Sequence, residues 1–282
     1  MKPYLIILLF LIFTVSPVLA STKDACIQMT DTLENSQTDP AWNYAENIND
    51  GRGITFGCIG FCTGTYDGNV LIKYYTSLNP NNPLAKYIPA LDKIDAGSHN
   101  AAGGDGNPSI VGLSGFVQDV QNNKDPVFKQ AQLYELDQLY WNPAYAEWQK
   151  IGAKYPLTLA LLYDASVREG PDGMLKLVRR AGSTSSEAQF DSNFILAYKK
   201  VLQAEGLGDT TRMIGFTNLL LAGNYNLTTP LTFVAYGDSF TITGNLGISQ
   251  VVTPVNTSAN NTTVNTPKQK HHFIIRRHCK KR

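Results

Sequence analysis

Two acidic residues, Glu34 and Asp50, lie sixteen positions apart, and glycine or small polar residues follow each of them. Two carboxyl groups on opposite walls of a cleft can hydrolyse a glycosidic bond. One donates a proton to the leaving oxygen, and the other activates a water molecule. The spacing also fits a simpler interpretation, in which Asp50 caps a structural element and Glu34 is a solvated helix end. By itself the pair leaves both interpretations open.

Asp50 stands near the head of a glycine-rich segment, residues 49–64, with the sequence NDGRGITFGCIGFCTG. A phosphate-binding loop is one interpretation of so many glycines. However, Gly57 falls one position late for a dinucleotide fingerprint, and no amphipathic helix follows directly. Asp50 would also place a negative charge where phosphate needs bare backbone amides. The segment therefore favours a bent β element whose backbone approaches another kind of ligand closely.

The cysteines and histidines do not predict a metal site. Cys58 and Cys62 are separated by three residues rather than the two usual for zinc, and His99 is distant in sequence. We expect no metal and no other cofactor. The four cysteines allow three disulfide pairings, and the sequence does not choose among them.

The two ends of the chain differ from its middle. Residues 1–20 have one lysine, a long apolar run and a terminal Ala20, which predicts a cleaved signal peptide; an uncleaved anchor helix is the alternative. Residues 21–247 form the predicted domain. Residues 248–267 resemble a linker that carries N-glycosylation sequons, and residues 268–282 form a basic tail. We therefore expect a secreted glycoprotein with no membrane association after cleavage.

The net charge of +1 hides an acidic body. Of the 24 Lys and Arg residues, Lys2 lies in the leader and seven lie after residue 267, which leaves 16 in the body. All 23 acidic residues lie in the body, so its net charge is −7. Such a body attracts cationic ligands and repels nucleic acid. We expect a monomer that does not bind nucleic acid.

Helical patterns dominate the body. Apolar spacing and capping residues predict helices over residues 24–34, 68–78, 126–140, 156–168, 191–204 and 212–222. The run over residues 156–168 is apolar on nearly all sides, which indicates a buried central helix. The clearest strand signal is Ile54 to Phe61, and residues 97–108 read as a surface loop. The predicted class is mainly α with a small β element.

The run from Leu33 to Leu91 resembles the catalytic segment of glycoside hydrolase family 46, the chitosanases. The residues that carry the resemblance are Glu34-Asn35-Ser36, Asp50-Gly51-Arg52-Gly53, Thr55, Gly60-Phe61-Cys62, Gly64-Thr65, Asp67 and Leu84-Ala85-Lys86-Tyr87. Later segments at 130–144, 163–165, 210–212 and 221–227 resemble the family in the same order. The resemblance covers roughly residues 24–240.

This resemblance implies a lysozyme-like, mainly helical fold with two lobes around a cleft. It implies endo-hydrolysis of the β-1,4 links of chitosan, with inversion at the anomeric carbon. Glu34 matches the general acid, Asp50 the general base, and Thr55 the hydroxyl that helps to hold the attacking water. Non-catalytic binding of a cationic polysaccharide and hydrolysis of peptidoglycan or chitin are the alternatives.

The resemblance also implies supporting residues. Arg212 and Asp164 match a buried charge network behind the general acid, and Lys199 falls near a further network position that holds arginine in the family. The implied substrate contacts are Asp67, which would hold a sugar ammonium group, and Ser36, Glu46, Arg52, Gly60 and Tyr140. Tyr140 could instead be a core aromatic. Cys62 fits a buried free thiol, and a Cys26–Cys58 bridge is one hypothesis because both lie near the active segment.

Overall fold

Helices form most of the structure. The computed structural model describes residues 17–99, 106–205 and 211–248, with side chains from Thr22 onward. The helices are α1 (Pro17–Asn35), α2 (Asp67–Leu78), α3 (Ile88–Asp95), α4 (Phe116–Gln121), α5 (Pro126–Leu136), α6 (Asn142–Lys150), α7 (Pro156–Ala181), α8 (Glu187–Ala204) and α9 (Ile214–Leu221). The strands are β1 (Ala45–Glu46), β2 (Thr55–Phe56), β3 (Phe61–Cys62), β4 (Leu231–Ala235) and β5 (Asp238–Ile242).

Helix α7 is the central element, as its apolar sequence predicts. It packs against α6, α8 and α1, and its first twelve residues after Pro156 are all buried. Its backbone kinks at Gly170, where φ is 72° and only glycine avoids steric strain. The buried face carries Asp164 and Arg168 one turn apart, so α7 places charged groups inside the core. Buried charges at these positions need partners.

The glycine-rich segment forms a small antiparallel sheet. Strand β2 pairs with β1 and β3, with Thr55 opposite Glu46 and Cys62. Gly57 has φ of 75°, and a Cβ atom there would lie 2.6 Å from Oε1 of Gln132. The same Gln132 oxygen accepts a hydrogen bond from the Cys58 amide at 2.8 Å. Strand β2 thus turns back into β3, which differs from the strand–loop–helix arrangement of a phosphate loop.

The predicted helices are present, but several boundaries differ. The helix expected over 126–140 ends at Leu136 and continues as a wider turn over Asp137–Trp141. The β4–β5 hairpin was not predicted, although Tyr236-Gly237-Asp238 at its tip is a strong turn signal. This hairpin packs against α9 and α1. Residues 100–105, the predicted linker from residue 249 onward and the basic tail lie outside the described residues.

The disulfide hypothesis is wrong. Cys26, Cys58 and Cys62 are all buried, and no disulfide joins any two of them. Burial raises the pKa of Tyr163, and Cys58 and Cys26 both add to that rise. Cys62 is buried, as predicted, and Cys279 lies outside the described residues. In the part of the chain that the structure describes, no helix is both long enough and apolar enough to cross a membrane.

A buried acid on α8 predicts that stability falls as pH rises. The pKa of Asp191 is raised to about 7, mainly by burial. The hydrogen bond from Thr158 lowers this pKa, and the nearby Glu187 adds to the rise. The raised pKa means that Asp191 keeps its proton to higher pH in the folded state than in the unfolded state. The stability that Asp191 contributes is therefore present below about pH 4 and is lost as the pH rises to about 7.

Replacing Asp191 by Asn should remove that loss, because the amide does not titrate. Relative to the variant, the wild type should lose on the order of 2–4 kcal/mol of unfolding free energy between about pH 4 and 8. Urea unfolding at several pH values measures this difference. Parallel stability curves for the two proteins would contradict the assignment.

Candidate active site

Glu34 lies in the last turn of α1, directly before the chain leaves the helix. Ser36 ends the helical path with a φ of 55° and lies exposed. The Glu34 side chain is 15% exposed and accepts a hydrogen bond from Nη2 of Arg212 at 2.7 Å. A carboxyl group in this position is accessible from solvent and is held from behind by a buried cation.

Arg212 joins Glu34 to Asp164. Its Nη2 donates to Oδ1 of Asp164 at 2.7 Å, and its Nε donates to Oδ2 at 3.2 Å, a two-pronged pairing. Although burial lowers it, the pKa of Arg212 is raised well above its usual value by Asp164 and Glu34. Burial raises the pKa of Asp164, and Arg212 opposes that rise. The guanidinium therefore stays charged and balances two carboxyl groups.

The hairpin that sequence analysis missed also supports this arginine. Nη1 of Arg212 donates to the hydroxyl of Tyr236 at 3.3 Å and to the carbonyl of Leu33 at 3.4 Å. Tyr236 lies at the tip between β4 and β5 and has a φ of 53°. Each of the three guanidinium nitrogens of Arg212 thus has an acceptor, which fixes the orientation of the guanidinium beside Glu34.

Lys199 does not join this network. It is half-buried on α8, and within the described ranges no hydrogen bond or ion pair connects it to Arg212 or Asp164. The neighbouring Tyr198 is the α8 residue that interacts with Asp164 and Arg212. Because successive helix residues point about 100° apart, Lys199 faces away when Tyr198 faces inward.

Arg168 supplies a second buried guanidinium instead. It follows Asp164 by one turn of α7, and its side chain is 1% exposed. Its Nη2 donates to Oε2 of Glu205 at 3.0 Å, and its Nε lies 3.5 Å from Glu169. No sequence signal singles out Arg168, because an arginine late in an apolar helix usually reaches solvent.

Asp50 lies in the loop before β2 and pairs with Arg52. Its two oxygens accept hydrogen bonds from the Arg52 amide at 3.1 Å and from the Arg52 Nε at 2.8 Å. A second guanidinium nitrogen, Nη2, also contacts Asp50. The Asp50 side chain is 29% exposed. A carboxylate that solvent can reach is able to take a proton from water.

Thr55 is buried on β2, close to the turn that faces Glu34. Its Oγ1 lies 3.5 Å from Sγ of Cys62. The following turn residues Cys58 and Ile59 border the same pocket as Glu34. The fold therefore brings the end of α1 against the β2–β3 turn, although the two segments are more than twenty residues apart.

The predicted substrate contacts lie around the small sheet. Asp67 begins α2 and accepts hydrogen bonds from Oγ1 of Thr65 at 2.6 Å and the Cys62 amide at 3.3 Å. Glu46 is exposed on β1 and accepts from the Tyr44 hydroxyl at 3.1 Å. Gly60 is half-buried in the β2–β3 turn. Tyr140 is only 6% exposed and lies in the hydrophobic core, which fits the alternative of a core aromatic.

Comparison with known proteins identifies the family. The family model described as "Glycosyl hydrolase family 46" matches residues 28–231. This chain belongs to glycoside hydrolase family 46. Two relatives named chitosanase support the assignment: that of Nocardioides sp. strain N106 is 38% identical over 237 residues, and that of Streptomyces sp. strain N174 is 34% identical over 236. In each case the match covers 78% of this chain and 81% of the relative.

Solved structures agree with the fold of this family 46 hydrolase. A Gynuella sunshinyii chitosanase in complex with chitotetraose matches with a TM-score of 0.67 and 29% identity, covering 81% of this chain and 99% of that one. A mutant Bacillus subtilis chitosanase complexed with 6 GlcN matches with a TM-score of 0.66 and 26% identity, over 79% of this chain and 98% of that one. The predicted mainly helical, lysozyme-like fold class is confirmed.

The described part of the chain offers no group of three or more His, Cys, Asp or Glu side chains arranged to hold a metal ion. Within this family 46 hydrolase, Glu34 with its arginine and Asp50 with its own arginine are the groups available for proton transfer.

Proposed function

We propose that this family 46 hydrolase is a secreted, monomeric endo-chitosanase that cleaves β-1,4 links between glucosamine units with inversion. The observation that carries the proposal is the pair of differently held carboxyl groups. Glu34 is mostly buried and backed by Arg212 and Asp164, whereas Asp50 is more exposed and paired with Arg52. Family membership, and relatives named chitosanase, supply the substrate class.

In this mechanism Glu34 is the acid and Asp50 is the base. Glu34 gives its proton to the glycosidic oxygen as the bond to the anomeric carbon breaks. Asp50 removes a proton from the water that attacks the opposite face of that carbon, and the Thr55 hydroxyl helps to hold this water. After the reaction Glu34 is ionised beside Arg212 and Asp50 is protonated, so both groups must exchange a proton with solvent before the next turnover.

The charge of the protein suits a cationic chain. The body outside the leader and tail carries a net charge of −7, and Asp67 and Glu46 are carboxylates near the small sheet. We assign Asp67 to an ammonium group of the substrate, with Ser36, Glu46, Arg52 and Gly60 as further contacts. A bacterial wall is anionic, so the same charge disfavours peptidoglycan as the substrate.

One comparison tests this function. The secreted protein should release glucosamine oligomers from chitosan and should leave chitin and bacterial cell walls largely intact under the same conditions. Proton NMR of the first products should show the α-anomer, as inversion of a β link requires, and viscosity should fall before free ends accumulate, as internal cleavage requires. Chitosan that is bound without cleavage would support the non-catalytic alternative instead, and first products in the β-form would overturn inversion.

A further inference from the structure

A small, partly open pocket lies beside Glu34. Its polar and turn residues are Thr30, Asp31 and Glu34 on α1, Cys58 and Ile59 in the β2–β3 turn, and Tyr163 on α7, and Pro40 after α1 and Leu136 on α5 add apolar lining. Most of the lining is apolar, so the few polar atoms that reach the pocket have little solvent to hydrate them. The mechanism described above uses only Glu34 from this group.

Two residues that line this pocket each carry a buried polar atom with no partner among the described residues. Asp31 is 5% exposed, and its Oδ1 accepts a hydrogen bond from Nδ2 of Asn35 at 2.6 Å. Among the described residues, Oδ2 of Asp31 and Oγ1 of Thr30 have no hydrogen-bond partner. An unsatisfied buried group costs on the order of 1–3 kcal/mol, and native proteins usually satisfy such groups with a bound water. The pocket is large enough for one.

The groups that face Asp31 are acidic or neutral. They are Glu34 one turn later on α1, Asp39 in the loop that follows, Cys58 in the β2–β3 turn and Tyr163 on α7. Burial raises the pKa of Asp31 to about 7; the Asn35 hydrogen bond opposes this, and Glu34 and Asp39 add to it. Asp31 therefore holds its proton at mildly acidic pH.

Glu34 has the opposite surroundings. Arg212 donates to it at 2.7 Å, and an adjacent guanidinium favours the ionised carboxylate. A general acid must nevertheless carry a proton when the substrate arrives. The two carboxyl groups lie three residues apart on one helix face and border the same small pocket.

We propose that this pocket binds a water molecule that joins the carboxyl groups of Asp31 and Glu34, so that Asp31 stores the proton that Glu34 donates. The proposal rests on the function assigned to Glu34 above. In the transfer, Oδ2–H of Asp31 gives a proton to the water while the water gives one to the Glu34 carboxylate. Asp31 becomes a carboxylate, Glu34 becomes the acid and the water is unchanged. Asp31 then regains a proton from solvent, and it acts as a positioning residue because it does not touch the substrate.

The pH profile of kcat/KM on soluble glucosamine oligomers tests this proposal. In Asp31→Asn the alkaline limb of the profile should move to lower pH, because Asp31 no longer supplies a proton to Glu34. The variant should lose about tenfold in kcat/KM near pH 7.5 and less than about twofold near pH 5, since the protonated fraction changes about tenfold for each pH unit along the limb.

Asp191→Asn is the matched control. Asp191 is also a buried acid with one bonded oxygen and one oxygen that has no partner among the described residues, but it lies on α8 and does not border the pocket.

Each outcome decides the proposal. A profile for Asp31→Asn that superimposes on the wild type overturns it, and so does an equal loss at every pH, which a structural defect would cause. Thr30→Val is nearly isosteric and removes one hydrogen bond to the water; it should shift the limb in the same direction by a smaller amount, and it decides the matter if Asp31→Asn does not fold. Wild-type protein that cleaves no chitosan would refute the proposed function itself, which separates the two failures.

Discussion

Replacing Glu34 by Gln should lower the rate of chitosan cleavage by about 10²- to 10⁴-fold, the usual contribution of a general acid or base. Glutamine has nearly the same shape and can still accept from Nη2 of Arg212 through its amide oxygen, but it has no proton to donate. Initial rates of reducing-end release, measured with both proteins at equal concentration, give this ratio. The substrate affinity of the variant should stay close to that of the wild type.

Glu147→Gln is a suitable control for this experiment. Glu147 lies on α6 and pairs with Lys150 at 2.8 Å, apart from the proposed site. Its replacement should change the rate by less than about twofold, because Glu147 bonds to Lys150 and to none of the residues proposed for catalysis. A Glu34→Gln variant that folds, as judged by circular dichroism, and cleaves chitosan at the wild-type rate would refute the role of Glu34.

Replacing Arg212 by Met should abolish most activity and also destabilise the protein. The substitution leaves Asp164 as a fully buried carboxyl without its cation and removes the donor that holds Glu34. Breaking a buried ion pair from one side typically costs about 3–5 kcal/mol. Denaturant unfolding measures the loss, and the same samples give the rate on chitosan.

The pH dependence of this variant has a definite sign. Burial already raises the pKa of Asp164, and Arg212 opposes that rise, so the variant should hold the Asp164 proton to still higher pH. Its unfolding free energy should therefore recover at acidic pH, where Asp164 is neutral, and fall as pH rises. A loss of stability that is the same at all pH values would contradict this account.

A double variant separates folding from catalysis. Asp164→Asn together with Arg212→Met removes both buried charges, so a large part of the lost stability should return, as a double-mutant cycle would show. Activity should not return, because Glu34 still lacks its supporting cation. Full recovery of the rate in the double variant would show that the network acts on stability alone.

The sequence predicted much of the fold and the central residues of the site. Helices such as α2 and α7 follow from local apolar spacing and from proline and capping signals, which do not depend on distant contacts. Glu34, Asp50 and Thr55 lie within one short segment, where motif spacing is informative. The family resemblance also implied Arg212 and Asp164, which the fold brings to Glu34 although 178 residues separate Arg212 from it.

Only the tertiary structure decided which side chains complete that site. Whether Lys199 or Tyr198 faces Asp164 depends on the rotation of α8, and the roles of Arg168 and Tyr236 depend on how α7 and the final hairpin pack. The pocket at Asp31 and the burial of Cys26 and Cys58 depend on the same packing. The sequence by itself thus determined the local elements and, through the family resemblance, predicted the acid pair. Packing decided burial, because a side chain's charge state and partners are set by neighbours that are distant in the chain.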